Sequence, residues 1–303
     1  TRSAFGPSAD AFEAARRTRA LYAQLYAEPA PALALTAGAR LDASDAFGTF
    51  LTARAGASAR LAPGTRIRAS AGSAFKEPTF FENYARGFVR GNPDLEPERA
   101  RSWEVGVDQA LAAGRITLAA TWFDQRFRDL IQFTFQPPRP GDPNYFNVAA
   151  ARAAGLELEA RAAAGPLRGA AGYVYLDTET DDDGFGTDPA FAAGRRLLRR
   201  PAHSGHLTAG IAGRHGTLDV TLRHVGRRDD LDFSTFPAKR VELEPYTRVD
   251  LAGELHLLRH GDAPRLTATA RIENLGDARY EEILRFPARR RTAYLGLRAE
   301  TRL

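Results

Sequence analysis

The region between residues 76 and 100 contains the side chains best suited to binding a ligand. It combines four aromatic rings with two arginines, namely Phe80, Phe81, Tyr84, Phe88, Arg86 and Arg90. Aromatic rings beside guanidinium groups suit a bulky, partly anionic ligand. The same side chains could instead pack the segment against the rest of the fold, and the sequence favours this packing role over direct ligand contact.

A second candidate is the acidic run "ETDDDG", which resembles the opening of a calcium-binding loop. Glu179, Asp181 and Asp183 take the first, third and fifth positions, and Gly184 takes the sixth. Such a loop needs a bidentate glutamate at its twelfth position, where this sequence has Ala190. A solvated acidic loop is therefore favoured over a calcium site.

Histidine and serine pairs give weaker signals for metal binding or catalysis. His203 and His206 are three residues apart, and on a strand this spacing puts them on opposite faces. His256 and His260 straddle a predicted turn. Ser204 and His206 could form a hydrolase pair, but no G-x-S-x-G, Walker or H-E-x-x-H motif accompanies them. The sequence therefore predicts neither a metal centre nor an enzyme, and no cofactor.

The composition excludes several other classes of function. The 303 residues contain no cysteine, which rules out disulfide frameworks, thiol catalysis and zinc–cysteine sites. The net charge is +5, but the arginines are distributed along the whole chain among 37 acidic residues. A nucleic-acid interface would gather basic and aromatic residues on one surface. We therefore expect no nucleic-acid partner.

Alternation of apolar and polar residues predicts that the chain is all-β. In residues 115–127, for example, Ile116, Leu118, Ala120 and Trp122 share one face. Many strands span about 10 to 12 residues, which suits a tilted crossing of a lipid bilayer better than a soluble sheet. The thirteen predicted strands lie near 16–28, 31–42, 48–62, 65–75, 101–112, 115–127, 152–163, 167–177, 204–214, 217–227, 245–257, 265–273 and 291–301. The region 127–153 is ambiguous, and a strand extension around Asp129–Phe135 is one interpretation of it.

The connections between these strands alternate between short and long. Short turns such as 62–65 and 163–166 alternate with long segments such as 76–101 and 178–203. This asymmetry is typical of an antiparallel up-and-down transmembrane β-barrel of the bacterial outer membrane. No stretch approaches 18 consecutive apolar residues, so a transmembrane helix is excluded. A soluble β-sandwich is the structural alternative.

Three separated motifs resemble one known family, the TonB-dependent outer-membrane receptors. They are "SAFKEPTFFENY" with "GNPDLEPERARSWEVGVDQ" (73–109), the pair "NVAAARAAGLELEA" and "YLDTE…LLRRPAHSG", and "ARIENLGDARYEE…FPARRRTAYLGLR" (270–298). Such receptors have 22-stranded barrels with a plugged lumen. The resemblance implies that the whole chain, 1–303, is the C-terminal part of such a barrel. Within it, 1–15 is expected to be an extracellular loop and 16–303 to be strands and loops, with the plug outside this chain.

The resemblance also implies a function and partners. The expected function is energy-dependent uptake of a scarce, bulky nutrient, such as an iron–siderophore complex or cobalamin, driven by the TonB complex acting through the plug. Trp103 is expected at the membrane interface, where amphipathic rings are favoured. Two basic clusters are expected at the extracellular end, where they would contact lipopolysaccharide phosphates or attract an anionic substrate: Arg195, Arg196, Arg199, Arg200, and Arg289, Arg290, Arg291.

Other interpretations of the sequence remain open. The arginine clusters could be solvated side chains in an arginine-rich composition. A passive, porin-like channel would fit the missing plug, and an outer-membrane hydrolase would need the Ser204–His206 pair. Each alternative keeps the barrel but changes what crosses it or reacts there.

Overall fold

The computed structural model describes residues 2–3, 12–135, 137–182, 192–260 and 263–300. Thirteen long strands dominate it: β1 (Thr18–Ala30), β2 (Leu33–Ser44), β3 (Gly48–Ala62), β4 (Thr65–Lys76), β5 (Glu98–Leu111), β6 (Ile116–Phe133), β7 (Tyr145–Ala164), β8 (Leu167–Asp182), β9 (His203–Gly213), β10 (Gly216–Val225), β11 (Tyr246–His260), β12 (Ala263–Glu273) and β13 (Thr292–Ala299). None of the helices in these segments is long and apolar enough to cross a membrane.

Each long strand pairs with its neighbour in the sequence, which gives a single antiparallel sheet of 13 strands in the order β1 to β13. The predicted all-β, up-and-down topology and the number of strands are confirmed. β1 and β13 are the two edges of the sheet, and within the described residues they do not pair with each other. The barrel wall is therefore present as an open sheet.

The two ends of the sheet differ, because short turns and long loops alternate. Tight turns such as 31–32, 63–64 and 165–166 lie at one end, and 77–97, 134–144, 226–245 and 274–291 lie at the other. Gly64 shows how tight the turns are: it has a φ of +79°, and a Cβ there would lie 2.3 Å from the Ala110 carbonyl oxygen. Only glycine fits this conformation without strain.

The sheet has one apolar face and one charged face. Leucines and other large apolar side chains are exposed on the apolar face, with Leu21, Leu51 and Leu295 all more than 60% exposed. On the opposite face an ion pair of 2.8 Å joins Arg66 and Asp108 on adjacent strands, and one of 2.6 Å joins Arg168 of β8 to Asp219 of β10 across Gly210 of β9. An outer-membrane barrel turns its apolar face to lipid and its polar face to the lumen.

The strands extend further at the long-loop end than the sequence predicted. The predicted ends of the strands 115–127 and 152–163 are corrected: β6 continues to Phe133, into the strand extension that the sequence suggested around Asp129–Phe135, and β7 begins at Tyr145. Asp129 has a φ of +57°, and the register of β6 and β7 shifts between Phe127 and Leu130. This bulge breaks the alternation that sequence analysis relies on, although the pairing resumes beyond it.

Small elements occupy the long loops. Helix α1 (Phe80–Tyr84) begins with a capping box formed by Thr79 and Glu82. Three short hairpins accompany it: Arg2–Ser3 with Phe12–Glu13, Arg228–Asp232 with Lys239–Leu243, and Glu281–Ile283 with Phe286–Pro287. The sequence analysis missed all four, although the Thr-x-x-Glu spacing is a signal for a helix start.

Candidate functional site

The loop 77–97 is folded back on α1 by backbone and amide contacts. Asn83 is 2% exposed, and its Nδ2 donates to the Asn92 carbonyl at 2.9 Å. The Gly91 amide donates to the Ala85 carbonyl at 2.8 Å. A Cβ at Gly91 would lie 2.5 Å from the Asn83 carbonyl carbon and from the Tyr84 nitrogen. The turn therefore requires glycine at this position because the chain passes directly over the helix.

The same loop is attached to β7 and to the 134–144 loop through asparagine side chains. Asn92 Nδ2 donates to the Tyr145 carbonyl at 2.9 Å. Asn144 Oδ1 accepts from the Arg90 amide at 2.8 Å. Asn147 accepts from the Glu96 amide at 2.7 Å and donates to its carbonyl at 2.8 Å. These side-chain amides supply the hydrogen bonds that strand pairing would otherwise supply between the 77–97 loop and its two neighbours.

Five aromatic side chains meet where these loops join, and we call them the aromatic cluster. The ring centroids are 6.3 Å apart for Phe81 and Tyr145, 5.3 Å for Phe133 and Tyr145, 4.6 Å for Phe133 and Phe135, and 6.4 Å for Phe88 and Phe135. Phe88 is 87% exposed and Phe135 is 63% exposed. The cluster therefore has a packed side and a side that is open to a ligand.

The four aromatic residues among the six predicted ligand contacts separate into two groups. Phe81 and Phe88 join the aromatic cluster, whereas Phe80 and Tyr84 stack on each other at 6.5 Å on another side of α1. Arg16 lies over the Phe80 ring with its Cζ 4.9 Å from the centroid. Phe80 and Tyr84 thus pack the helix against the segment that precedes β1.

The two predicted arginines of this loop remain exposed. Arg90 Nη1 donates to the Gly141 carbonyl at 2.7 Å, in the loop that precedes Tyr145. Arg86 has no ion pair or hydrogen-bonded partner within the described segments. Burial, and secondarily the charge of Glu82, raise the pKa of the Tyr145 phenol. This end of the fold thus presents aromatic rings and positive charge side by side.

A second loop assembly is centred on Asp230, which has no exposed surface. Its carboxylate accepts from Arg199 Nε at 2.8 Å, from the Leu284 amide at 2.8 Å and from the Leu231 amide at 2.9 Å. Burial acts to raise the pKa of this carboxyl, but these hydrogen bonds outweigh burial and lower it. One buried carboxylate thereby joins three long loops.

Tyrosine stacking holds the same assembly to the start of β11. The Tyr246 and Tyr280 rings stack with centroids 3.9 Å apart. Burial and a hydrogen bond to Glu282 raise the pKa of Tyr246 to about 12. In the 274–291 loop, hydrogen bonds from Arg290 and from the Arg291 amide lower the pKa of Asp277 to about 2.

Most of the predicted anion-binding arginines are engaged in loop contacts. Arg196 pairs with Asp177 at 3.2 Å, and Arg199 pairs with Asp230. Arg290 Nε donates to Asp277 at 2.8 Å, Arg289 donates to the Tyr294 hydroxyl at 2.6 Å, and the Arg291 backbone amide donates to Asp277 at 3.0 Å. Arg195 and Arg200 are exposed, and their side chains make no ion pair with any described residue.

The acidic run begins on a strand, which corrects the predicted loop 178–203. Glu179 and Asp181 belong to β8, which extends to Asp182, and Asp183 lies outside the described residues. β8 continues because its residues pair with β7, where Glu179 lies opposite Arg152. Among the described side chains, no group of three metal-ligating residues is close enough to hold an ion.

Among the described side chains, His203, Ser204 and His206 form no catalytic or metal-binding arrangement; the His260 side chain lies outside the described part of the structure. His203 Nδ1 lies 2.7 Å from the Tyr173 hydroxyl, whereas His206 lies on the opposite face against Gly172. Ser204 and His206 are two residues apart on β9. Their side chains share a face of the strand, but no hydrogen bond joins them in the described structure, so they lack the contact of a nucleophile–base pair.

Comparison with known proteins identifies the family to which this fold belongs. A sequence model described as "TonB dependent receptor-like, beta-barrel" matches residues 2–275. The chain belongs to the TonB-dependent receptor β-barrel family. It is 29% identical over 264 residues to the vitamin B12 transporter BtuB of Vibrio cholerae, a match that covers 87% of this chain and 39% of that protein.

Solved structures of family members show the same fold. A variant of the ferric enterobactin receptor PfeA from Pseudomonas aeruginosa, in complex with enterobactin, superposes with a TM-score of 0.76 at 20% identity. The ferric-catecholate import receptor Fiu from E. coli K12 superposes with a TM-score of 0.73 at 16% identity. The matches cover 96% and 93% of this chain, but 46% and 44% of those proteins.

Family membership settles several predictions. The expected family and the outer-membrane location are confirmed by the family model and by its structural relatives, one of which is a ferripyoverdine receptor of the outer membrane of Pseudomonas aeruginosa. The related proteins are a transporter and receptors, which agrees with the expectation that this chain has no enzymatic role. The hydrolase alternative therefore has no support. This chain spans less than half the length of these relatives.

Proposed function

We propose that this chain forms the barrel wall and ligand-facing loops of a receptor for energy-dependent uptake of a scarce, bulky nutrient. The candidate ligands are an iron–siderophore complex and cobalamin. The similarity to BtuB supports cobalamin, and the similarity in fold to PfeA and Fiu supports a ferric siderophore. The chemistry of the residues at the candidate site must therefore discriminate between a ferric siderophore and cobalamin.

The observation that carries the proposal is the aromatic cluster with Arg86 and Arg90 at the long-loop end. Exposed phenyl rings bind the flat, apolar parts of a large ligand, and exposed guanidinium groups attract negative charge. A ferric catecholate complex combines aromatic rings with net negative charge, so this combination favours a ferric siderophore over cobalamin. Phe88 and Phe135, which are exposed, would make the contact, while Phe81 and Tyr145 support them from below.

Energy coupling belongs to the same proposal. The TonB complex would act through a plug domain inside the barrel, and the charged lumen-facing side of the sheet would face that plug. Ion pairs such as Arg298 with Glu254, at 3.1 Å, already neutralise much of this surface. The plug would therefore meet a wall of paired charges.

The two loop arginine clusters would play a secondary role at the extracellular surface. We propose that Arg195 and Arg200 contact lipopolysaccharide phosphates or attract the anionic ligand, because their side chains are exposed and have no carboxylate partner among the described residues. Arg196, Arg199 and Arg290 hold the loops in position through Asp177, Asp230 and Asp277. Arg289 and Arg291 stay near the rim and would add to the positive potential.

The test is binding and uptake by the full-length protein in outer membranes, with ferric enterobactin and cyanocobalamin as the two probes. Replacing Phe88 and Phe135 together by alanine should weaken ferric enterobactin binding by about tenfold or more, because both rings are exposed contact surface. Phe233→Ala is the matched control, since Phe233 is 71% exposed on the 226–245 loop, outside the aromatic cluster.

The outcomes separate the alternatives. Saturable binding of ferric enterobactin that the double substitution weakens and the Phe233 control leaves unchanged supports the proposal. Saturable cyanocobalamin binding with no response to ferric enterobactin would move the ligand class to cobalamin. Uptake that continues after the proton-motive force is collapsed would identify a passive channel and overturn energy coupling.

A further inference from the structure

Five arginines form a continuous basic patch at the long-loop ends of β5, β6 and β7. Three pairs lie directly opposite each other across neighbouring strands: Arg99 with Arg128, Arg101 with Arg126, and Arg126 with Arg152. All five side chains are exposed. We call these residues the arginine ladder.

The arginine ladder is on the lipid-facing side of the sheet. Arg101 is two residues from Trp103, and Arg126 is four residues from Trp122, so each shares a face with its tryptophan. Trp122 pairs directly with Val105 on the same apolar face. Since tryptophan is favoured at the membrane interface, the arginine ladder lies at the level of the lipid headgroups.

The ladder has more positive charge than its neighbours neutralise. Like charges directly opposite on a sheet are destabilising unless something offsets them. Asp124, 4% exposed, lies 3.2 Å from Arg126 and 2.7 Å from Arg152. Asp129 reaches Arg99 at 4.0 Å. Arg101 and Arg128 have no carboxylate partner anywhere in the described segments.

The β8 side of the ladder is already balanced. Arg152 lies opposite Glu179 on β8, and the nearby Asp177 pairs with Arg196. The uncompensated charge is therefore concentrated at Arg101 on β5 and Arg128 on β6. An anion from the surroundings would bind there rather than at Arg152.

An apolar groove begins directly beside these arginines on the same face. Its upper part, of about 530 Å³, is bounded by Arg101, Arg126 and Trp103, and small side chains such as Ala53 and Ala71 form its floor. The lower part, of about 640 Å³, shares Trp103 and Ala71 and is bordered by leucines and further alanines from β1 to β4. The two parts form one continuous depression that leads from the headgroup level into the apolar band.

The arginines and the adjoining apolar groove together indicate the chemistry of the ligand that would bind there. Guanidinium groups recognise phosphate through charge-assisted, often bidentate hydrogen bonds. An alanine-floored groove below them accepts a hydrocarbon chain, because small side chains let the chain approach the sheet closely and make van der Waals contact. A ligand with a phosphate at one end and acyl chains at the other satisfies both parts. A free anion would bind only to the arginines and leave the groove empty. A protein partner that packs in the groove would not need the arginines at the headgroup level.

We propose that the arginine ladder and the groove form a binding site for a phosphorylated glycolipid of the outer leaflet, such as lipid A. Arg101 and Arg128 bind its phosphate, with Arg126 assisting, and one acyl chain lies in the groove against Trp103. The site is distinct from the aromatic cluster and from the loop arginines, and it does not depend on which nutrient the receptor carries.

The test measures lipid binding by native mass spectrometry on the full-length protein, delipidated and kept in a neutral detergent. The probes are lipid A, lipid A with its phosphates removed, phosphatidylglycerol and inorganic phosphate. The test variant replaces Arg101 and Arg128 together by glutamine, because neither side chain has a described carboxylate partner whose loss would disturb folding. Arg19→Gln is the matched control, since Arg19 is an exposed arginine at the long-loop end of β1, outside the arginine ladder.

We expect the double variant to bind lipid A about tenfold more weakly, corresponding to about 1.4 kcal/mol, and the Arg19 control to bind as the wild type does. Dephosphorylated lipid A should bind the wild type as weakly as lipid A binds the double variant. A second variant, Ala71→Phe, fills the groove on the lipid-facing side and should also weaken lipid A binding, with phosphate binding unchanged.

Three results would overturn the proposal. Equal binding of lipid A by the double variant and the wild type would show that the arginines take no part. Equal binding of phosphatidylglycerol and lipid A would show that the site takes any anionic lipid. Binding of inorganic phosphate with no lipid binding would leave only an adventitious anion site.

Discussion

Single side chains decide how the long loops are held at their end of the sheet. The backbone of loop 77–97 has no strand partner, so Asn83, Asn92 and Asn147 supply the hydrogen bonds that a strand would have made. A buried amide can donate and accept at once, which lets one residue satisfy two backbone segments. Sequence analysis identified the aromatic and arginine residues here but not these asparagines, because their partners are distant in sequence.

Gly91 allows a residue-scale prediction about loop docking. In Gly91→Ala, the new Cβ would lie within 2.6 Å of backbone atoms of Asn83, Tyr84 and Ala85, and backbone cannot move aside as a side chain can. We expect about 1–3 kcal/mol of lost docking free energy, as for overpacking elsewhere. Protease cleavage within 77–97, measured on intact outer membranes, should accelerate at least several-fold.

The control for this substitution is Gly276→Ala. A Cβ at Gly276 meets no atom within 4 Å, so the loop 274–291 should be cleaved at the wild-type rate. Unchanged cleavage of 77–97 in Gly91→Ala would mean that the loop is not held against α1 in the membrane.

At the scale of elements, alternation located the strands but not their ends. The strand from Gly48 to Ala62 matches its predicted bounds, because short turns stop both the alternation and the pairing at the same residues. β6 and β7 extend beyond their predicted ends. The bulge at Asp129 shifts the side-chain alternation, but the hydrogen-bonded pairing of the two strands continues past it. The arginine ladder was missed for the same reason: its members are far apart in sequence and meet only through strand register.

The 274–291 loop carries a prediction about pH. The folded pKa of Asp277 is about 2, below its ordinary value of 3.8, because the ionised carboxylate accepts from Arg290 and from the Arg291 amide. A depressed carboxyl pKa stabilises the folded loop above the unfolded pKa, and that contribution disappears as pH falls through the folded pKa. The loop should therefore stay ordered at pH 5, weaken below pH 3.8, and open near pH 2.

Hydrogen–deuterium exchange of peptides from 274–291, corrected for the intrinsic pH dependence of exchange, measures this transition. Asp277→Asn should reduce the dependence between pH 4 and pH 2 and leave the loop less protected at pH 5. The remaining dependence is expected from Asp230, whose carboxylate accepts from the Leu284 amide of the same loop and also has a lowered pKa. Peptides from 77–97 in the same samples serve as the internal control. An Asp277→Asn variant with the wild-type pH profile would show that another group controls the opening.

At the scale of the whole molecule, the two faces of the sheet explain why the sequence identified the fold more readily than the ligand. Each strand repeats the same apolar and polar alternation, so the barrel wall is encoded many times along the chain. The candidate ligand site is encoded once, by residues from loops that meet only after folding. Phe133, Phe135 and Tyr145 join Phe81 and Phe88 across a bulge and a loop that no local pattern specifies.

The assignment of the faces gives the last prediction, which uses two adjacent residues on β7. Leu158 lies on the apolar face and pairs with Ala120 of β6, two residues from Trp122. Its neighbour Glu157 points to the charged face. In Leu158→Arg the guanidinium must enter the hydrocarbon, at a cost between the value near the interface, about 0–1 kcal/mol, and the value at the bilayer midplane, about 2–4 kcal/mol. Glu157→Arg adds the same side chain to the lumen and should cost far less.

Reversible denaturant unfolding of the full-length protein from lipid bilayers measures both free energies of unfolding under one condition. A large loss for Leu158→Arg beside a small one for Glu157→Arg is the expected result, because only one of the two faces contacts lipid. Equal losses would mean that both faces have the same surroundings. The sheet would then pack against protein on both sides, and neither a lumen nor a lipid-facing arginine ladder could exist.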